Sequence, residues 1–117
     1  MSCLFNSIGK LLKRKNVRNE ICDYIDNHLD EKISGETIKN WIKYAGLEMN
    51  LNARQYMTKM RKSSSWGGGP ELMIASKLYN VKIKIGNIVF NCSNNPKRIL
   101  YLNYNGSHYT PQKIKNI

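Results

Sequence analysis

The stretch Val81-Lys82-Ile83-Lys84-Ile85 decides the fold class. Its apolar side chains alternate with lysines at a period of two, the pattern of a strand with one face buried and the other wet. The chain before it has a different period. Leu4, Ile8, Leu11 and Leu12 recur at helical spacing from a start near Cys3, and Lys13, Arg14 and Lys15 suit the negative end of such a helix. Asn16 is placed to cap a second helix whose apolar stripe is Val17, Ile21, Tyr24, Ile25, His28 and Leu29. Thr37 to Tyr44 reads as a short helix ending near Gly46, and Asn52 to Lys62 as another that turns Tyr56, Met57 and Met60 inward. Residues 63–70, Ser-Ser-Ser-Trp-Gly-Gly-Gly-Pro, break the periodicity and form a loop. Pro70 then opens a helix with Glu71 at its positive end and Leu72, Ala75, Ser76 and Tyr79 as its packing face.

Beyond the alternating stretch, Ile88 to Phe90, Ile99 to Asn103 and Tyr109 are strand candidates, and Asn105-Gly106 is a hairpin turn signal. Helices first and strands last make the class α+β, a helical N-terminal part packed on a small C-terminal, mostly antiparallel β-sheet. The 117 residues, with no repeat or internal linker, suit a single domain over 1–117.

Apolar residues make up 41% and charged residues 23%, which excludes a disordered chain or a fibrous repeat. No apolar run approaches the ~20 residues of a membrane-spanning helix, and Met1 to Leu12 lacks the features of a secretory signal. Cysteines at 3, 22 and 92 form an odd, widely spaced set, which argues against a disulfide framework and for a reducing, cytoplasmic setting. Nineteen Lys and Arg against eight Asp and Glu give a formal charge of +11, favouring acidic protein faces or phosphates. The basic residues are spread from Lys10 to Lys115 without a nucleic-acid motif, so only weak, non-specific nucleic-acid binding is expected.

Cys3 lies just ahead of a predicted helix, where unpaired amide hydrogens face an anion, and His108 stands far away in sequence at the end of a hairpin. A Cys and a His brought together by folding are the two essentials of acyl transfer by a thiol. Cys22, His28 and Cys92 lack the paired spacing of a zinc site, so no metal is expected. Gly67 to Gly69 lack the following Lys and Ser or Thr of a phosphate loop and are better suited to letting a peptide backbone approach closely. Trp41 and Trp66 read by themselves as packing residues.

Four segments in order sharpen this reading. Cys3-Leu4-Phe5-Asn6-Ser7-Ile8 resembles the nucleophile motif of the ovarian-tumour (OTU) cysteine proteases, and Tyr56-Met57-Thr58-Lys59-Met60-Arg61 resembles the family's helix before its substrate loop. Trp66-Gly67-Gly68 with Glu71-Leu72 and Ala75 is similar to its Trp-Gly loop and following helix, and Val81–Ile85, Ile99–Tyr104 and His108-Tyr109 to its closing strands and His-Tyr pair. The resemblance covers nearly the whole chain. It implies a papain-related fold and a cofactor-free deubiquitinase, a monomer, that cleaves after the C-terminal glycine of ubiquitin or a ubiquitin-like protein. Cys3 would be the nucleophile and His108 its base, while Trp66, Gly67, Gly68 and Tyr109 would meet the substrate. A minimal core of this kind implies a viral or microbial source acting in host cytoplasm.

Two positions depart from the family. Only Met1 and Ser2 precede Cys3 where relatives carry Asp-Gly-Asn, which implies either an N-terminally incomplete copy or impaired activity. Thr110 stands two residues after the histidine, where many relatives have an acidic residue or Asn. Its hydroxyl can orient the ring but cannot stabilise an imidazolium as a carboxylate does, which implies a weaker triad or an acid from elsewhere. A relative that binds ubiquitin without cleaving it is the first rival reading, and a basic nucleic-acid-binding domain the second.

Overall fold

The computed structural model describes residues 3–106 and 108–112. Helices α1 (Cys3–Leu12) and α2 (Val17–Asn27) come first, followed by a two-stranded hairpin, β1 (Lys32–Ile33) and β2 (Glu36–Thr37). Helices α3 (Ile38–Glu48), α4 (Ala53–Met60) and α5 (Gly69–Leu78) lead into strands β3 (Lys82–Ile85), β4 (Ile88–Phe90), β5 (Ile99–Tyr104) and β6 (Tyr109–Pro111). The last four form one sheet in the order β4-β3-β5-β6. The class is α+β as expected, and the sheet is mostly antiparallel: β3 pairs antiparallel with β4 and β5 with β6, while β3 and β5 run parallel.

The period of two in β3 sets the layering. Val81 and Ile83 are fully buried with Leu100 and Leu102 of β5, while Lys84 and Asn103 are exposed on the opposite face. Helices α1 and α5 lie against the buried face, and α2 packs on both of them. Leu4, Phe5 and Ile8 of α1 meet Ile21, Cys22 and Ile25 of α2 and Leu72 and Ala75 of α5 in one core. Each such side chain removed from water contributes roughly 1.5–3 kcal/mol, which is why the amphipathic stripes decide where the helices lie.

Several local expectations shift. Asn16 occupies the cap position of α2 but its side chain makes no capping bond; its carbonyl accepts from the Glu20 amide instead. The stripe of α2 ends at Ile25, because the helix stops at Asn27 and leaves His28 and Leu29 exposed, with His28 stacked on Tyr24. Helix α3 is capped by the Thr37 hydroxyl, which accepts from the Asn40 amide, and runs past Gly46 to Glu48. The hairpin at 32–37 has no periodic signal; its turn, Ser34-Gly35, takes positive φ at both residues. Helix α4 has a full capping box between Asn52 and Gln55. Trp41 packs against the core and donates its indole N–H to the Ile33 carbonyl at 2.8 Å, the structural role expected of it.

Gly46 is a glycine because the chain folds back on it: a Cβ there would stand 2.6 Å from the Leu51 carbonyl oxygen. Gly46→Ala is therefore expected to lower stability by about 1–3 kcal/mol, read as a lower urea midpoint at unchanged slope. An unchanged midpoint would show that the turn after α3 yields at no cost.

Candidate active site

Cys3 is half-buried at the first position of α1, because Leu4, Phe5 and Ile8 on the following turns anchor that helix to the core. Ser7, one turn on, is buried, and its hydroxyl contacts the Cys3 carbonyl at 2.7 Å and the Tyr109 carbonyl at 3.0 Å. That bridge joins the start of α1 to β6, so residues 102 apart in sequence lie side by side. Tyr109 is half-buried, stacks on Tyr104 at 4.5 Å between ring centres, and has its phenol pushed up by burial.

His108 immediately precedes β6 and is exposed; its amide donates to the Asn105 side chain at 2.8 Å and its carbonyl accepts from the Asn105 amide. Strand alternation puts Thr110 on the same side as His108, and the two share an open groove of about 370 Å³ with Ile85, Ile88, Asn103 and Tyr104. Thr110 pairs with Asn103 across β5 and β6, and Asn103 lines the same groove as His108. Cys3 is not among the residues lining this groove. The α1–β6 contact thus sets the Cys3 backbone near that of Tyr109, the residue after His108, while His108 lines a groove that Cys3 does not.

The loop of residues 61–68 closes the other side of the α1 start. Gly67 lies against Leu4 and Phe5: a Cβ there would stand 2.8 Å from a methyl of Leu4 and 2.8 Å from the tip of the Phe5 ring. What comes close to Gly67 is thus a pair of side chains of α1 and not the peptide backbone expected, and a Cβ at Gly69 would meet nothing within 4 Å. Trp66 beside it is 48% exposed, which weighs against packing as its main role. Arg18 of α2 lies over the Phe5 ring at 4.3 Å and donates to the carbonyls of Met60 (2.6 Å) and Ser65 (2.7 Å), tying the loop to both helices. Behind it, the Glu71 carboxylate is fully buried; it accepts from the Gly68 amide and the Tyr56 hydroxyl, each at 2.8 Å. Burial drives this carboxyl upward, against the pull of those two donors.

The sequence singled out Glu71 only as a helix-terminal charge, and its spacing three residues after Gly68 is the signal for the amide bond it makes. Ser7 and Arg18 escaped notice because Tyr109, Met60 and Ser65 lie far from them in the chain, and Asn103 because its pairing with Thr110 is set by the register of β5 and β6. Among the described residues no group of three or more His, Cys, Asp or Glu could hold a metal ion. No described helix is long and apolar enough to cross a membrane.

These features coincide with a known architecture. The OTU-like cysteine protease family matches residues 2–116, and the chain belongs to that family. It is 29% identical, over 94% of its length, to the ubiquitin thioesterase OTU1 of Drosophila pseudoobscura pseudoobscura. It is 28% identical over the same share to the ubiquitin thioesterase Otu1 of Drosophila melanogaster. The chain spans about a third of the length of these relatives, 31% and 32%. The fold is shared with an OTU domain solved in complex with ubiquitin, at TM-score 0.64 and 22% identity over 94% of this chain and 62% of the other. It is shared also with the viral OTU domain protease of Dera Ghazi Khan virus, at TM-score 0.63 and 20% identity over 98% of this chain and 76% of the other.

Proposed function

We propose that this chain is a thiol hydrolase that cleaves the peptide or isopeptide bond after the C-terminal glycine of ubiquitin or a ubiquitin-like protein. The observation that carries the proposal is the Ser7 bridge, which ties the helix start bearing Cys3 to Tyr109, the first residue of β6 and the one directly after His108. In this mechanism the Cys3 sulfur attacks the glycine carbonyl carbon as His108 takes up the thiol proton, and the exposed imidazole turns toward α1 to do so. The carbon–nitrogen bond then breaks and His108 returns the proton to the departing amine. Water, deprotonated by the same ring, adds to the thioester carbon, and the carbon–sulfur bond breaks to restore the thiol. Thr110 orients the ring as a neutral hydroxyl. Trp66, Gly67 and Gly68 line the path of the substrate's tail, and Tyr109 walls the opposite side.

The test is release of a C-terminal amide reporter from ubiquitin by the protein and by its Cys3→Ala variant; equal rates would end the proposal. A second reading, a relative that binds ubiquitin without cleaving it, is favoured by the placement of Cys3 outside the groove that holds His108 and Thr110. Saturable ubiquitin binding with no turnover would select it. The setting we propose is the cytoplasm, where the free thiols of Cys3, Cys22 and Cys92 persist.

The charge of +11 predicts a separate, weaker behaviour. Binding to single-stranded or duplex nucleic acid should be non-specific and fall steeply as salt rises. Sequence-dependent binding that survives physiological salt would instead promote the nucleic-acid reading.

A further inference from the structure

We infer that Glu71 is a positioning residue for the substrate's tail: its buried carboxylate fixes the Trp66-Gly67-Gly68 loop against the turn of α1 that carries Cys3. This inference rests on the proposed function for its consequence, though not for its geometry.

A carboxylate out of water is costly unless every lone pair direction that matters is satisfied, and an apolar side chain at this position of α5 would pack at less cost. Glu71 is 0% exposed among Leu72, Ile74 and Ala75, yet it is used at both oxygens. Oε1 takes the Gly68 amide, which would otherwise be an unpaired donor at the start of α5, and Oε2 takes the Tyr56 hydroxyl from α4. The carboxylate therefore bolts the last loop residue to two helices. Gly67, one residue earlier, is then held where its missing side chain leaves room for Leu4 and Phe5, the residues directly after Cys3. Arg18 fixes the upstream part of the same loop through the Met60 and Ser65 carbonyls. Only the exposed indole of Trp66, between these two anchors, is left facing outward. A loop fixed at both ends presents a peptide with a prepared wall, and small displacement of such a wall is felt strongly in rate.

The distinguishing measurement compares three reactions of Glu71→Ala, Glu71→Gln and Tyr56→Phe in the full chain. In the first, amide hydrogen exchange in Glu71→Ala should quicken at residues 66–69 while β3 and β5 keep their protection; a merely structural role would loosen the whole fold together. In the second, covalent capture by a ubiquitin with a C-terminal electrophile should slow on the order of 10- to 100-fold, the scale of a misplaced substrate contact. In the third, alkylation of Cys3 by iodoacetamide, which needs no channel, should stay within about twofold. Glu71→Gln keeps an acceptor for the Gly68 amide and should recover most of the capture rate. The inference is overturned if exchange at 66–69 is unchanged, if iodoacetamide slows in step with ubiquitin, or if Glu71→Gln is as slow as Glu71→Ala. Should Glu71→Ala not fold, Tyr56→Phe removes one of the two bonds and must show the same local loosening with a smaller slowing. A wild-type protein that captures no ubiquitin defeats the proposed function alone, since the exchange arm still decides whether Glu71 sets the loop.

Discussion

Ubiquitin carrying an electrophile at its C terminus is expected to form one adduct with this protein, at Cys3, and Cys3→Ala is expected to abolish it. The other two thiols are held back by their surroundings. Cys22 is completely buried in the core, and burial pushes its thiol up to about 11, against the pull of Arg61 and Arg18. At neutral pH a thiol raised in this way stays protonated, and its full burial leaves no path for a reagent to reach it. Burial raises the Cys92 thiol as well, with Lys77 pulling the other way. Cys3 alone stands at a helix start, partly open, between the Trp66-Gly67 loop and β6. Its replacement by alanine should leave the fold intact, because the core of α1 is made by Leu4, Phe5 and Ile8. Mass spectrometry of the digested adduct locates the modified residue. Modification of Cys92 in the native protein, or an adduct that persists in Cys3→Ala, would remove Cys3 from the mechanism.

Replacement of His108 by alanine is expected to slow turnover of a ubiquitin C-terminal amide by about 10²- to 10⁴-fold, the range that general acid–base catalysis supplies. The loss should fall on kcat more than on KM, since the proton is needed in the transition state and the variant leaves the Trp66-Gly67-Gly68 loop untouched. Thr110→Ala should cost much less. A neutral hydroxyl two residues along β6 can hold the ring in one tautomer, but it adds little to the ring's basicity. Asn103 lies across the strand pair from Thr110 in the same groove, so Asn103→Ala is the informative companion variant. A kcat for Thr110→Ala as low as that of His108→Ala would make the hydroxyl essential and reverse this order of roles. Wild-type rates in His108→Ala would assign the base elsewhere.

What could be read before folding was whatever one element determines by itself. Alternation along Val81–Ile85 sets a half-buried strand, because successive side chains on a strand must point to opposite faces, and Val81, Ile83 and Lys84 lie as that rule requires. The stripes of α1, α4 and α5 follow from helical period in the same way, and the ordered words around Cys3, Trp66 and His108 identified the family. Short range was also the limit of that reading. His28 and Leu29 continue the α2 stripe in sequence but fall past the end of the helix, where no face remains to bury them. Only the tertiary structure decided that β3 and β5 run parallel, that Gly67 makes room for Phe5, and that Arg18, Ser7 and Glu71 hold the candidate site together. Each of these depends on a partner brought near by packing. Arg18 reaches a carbonyl 47 residues on and Ser7 one 102 residues on, and no local preference of an arginine or a serine encodes a partner at such a distance.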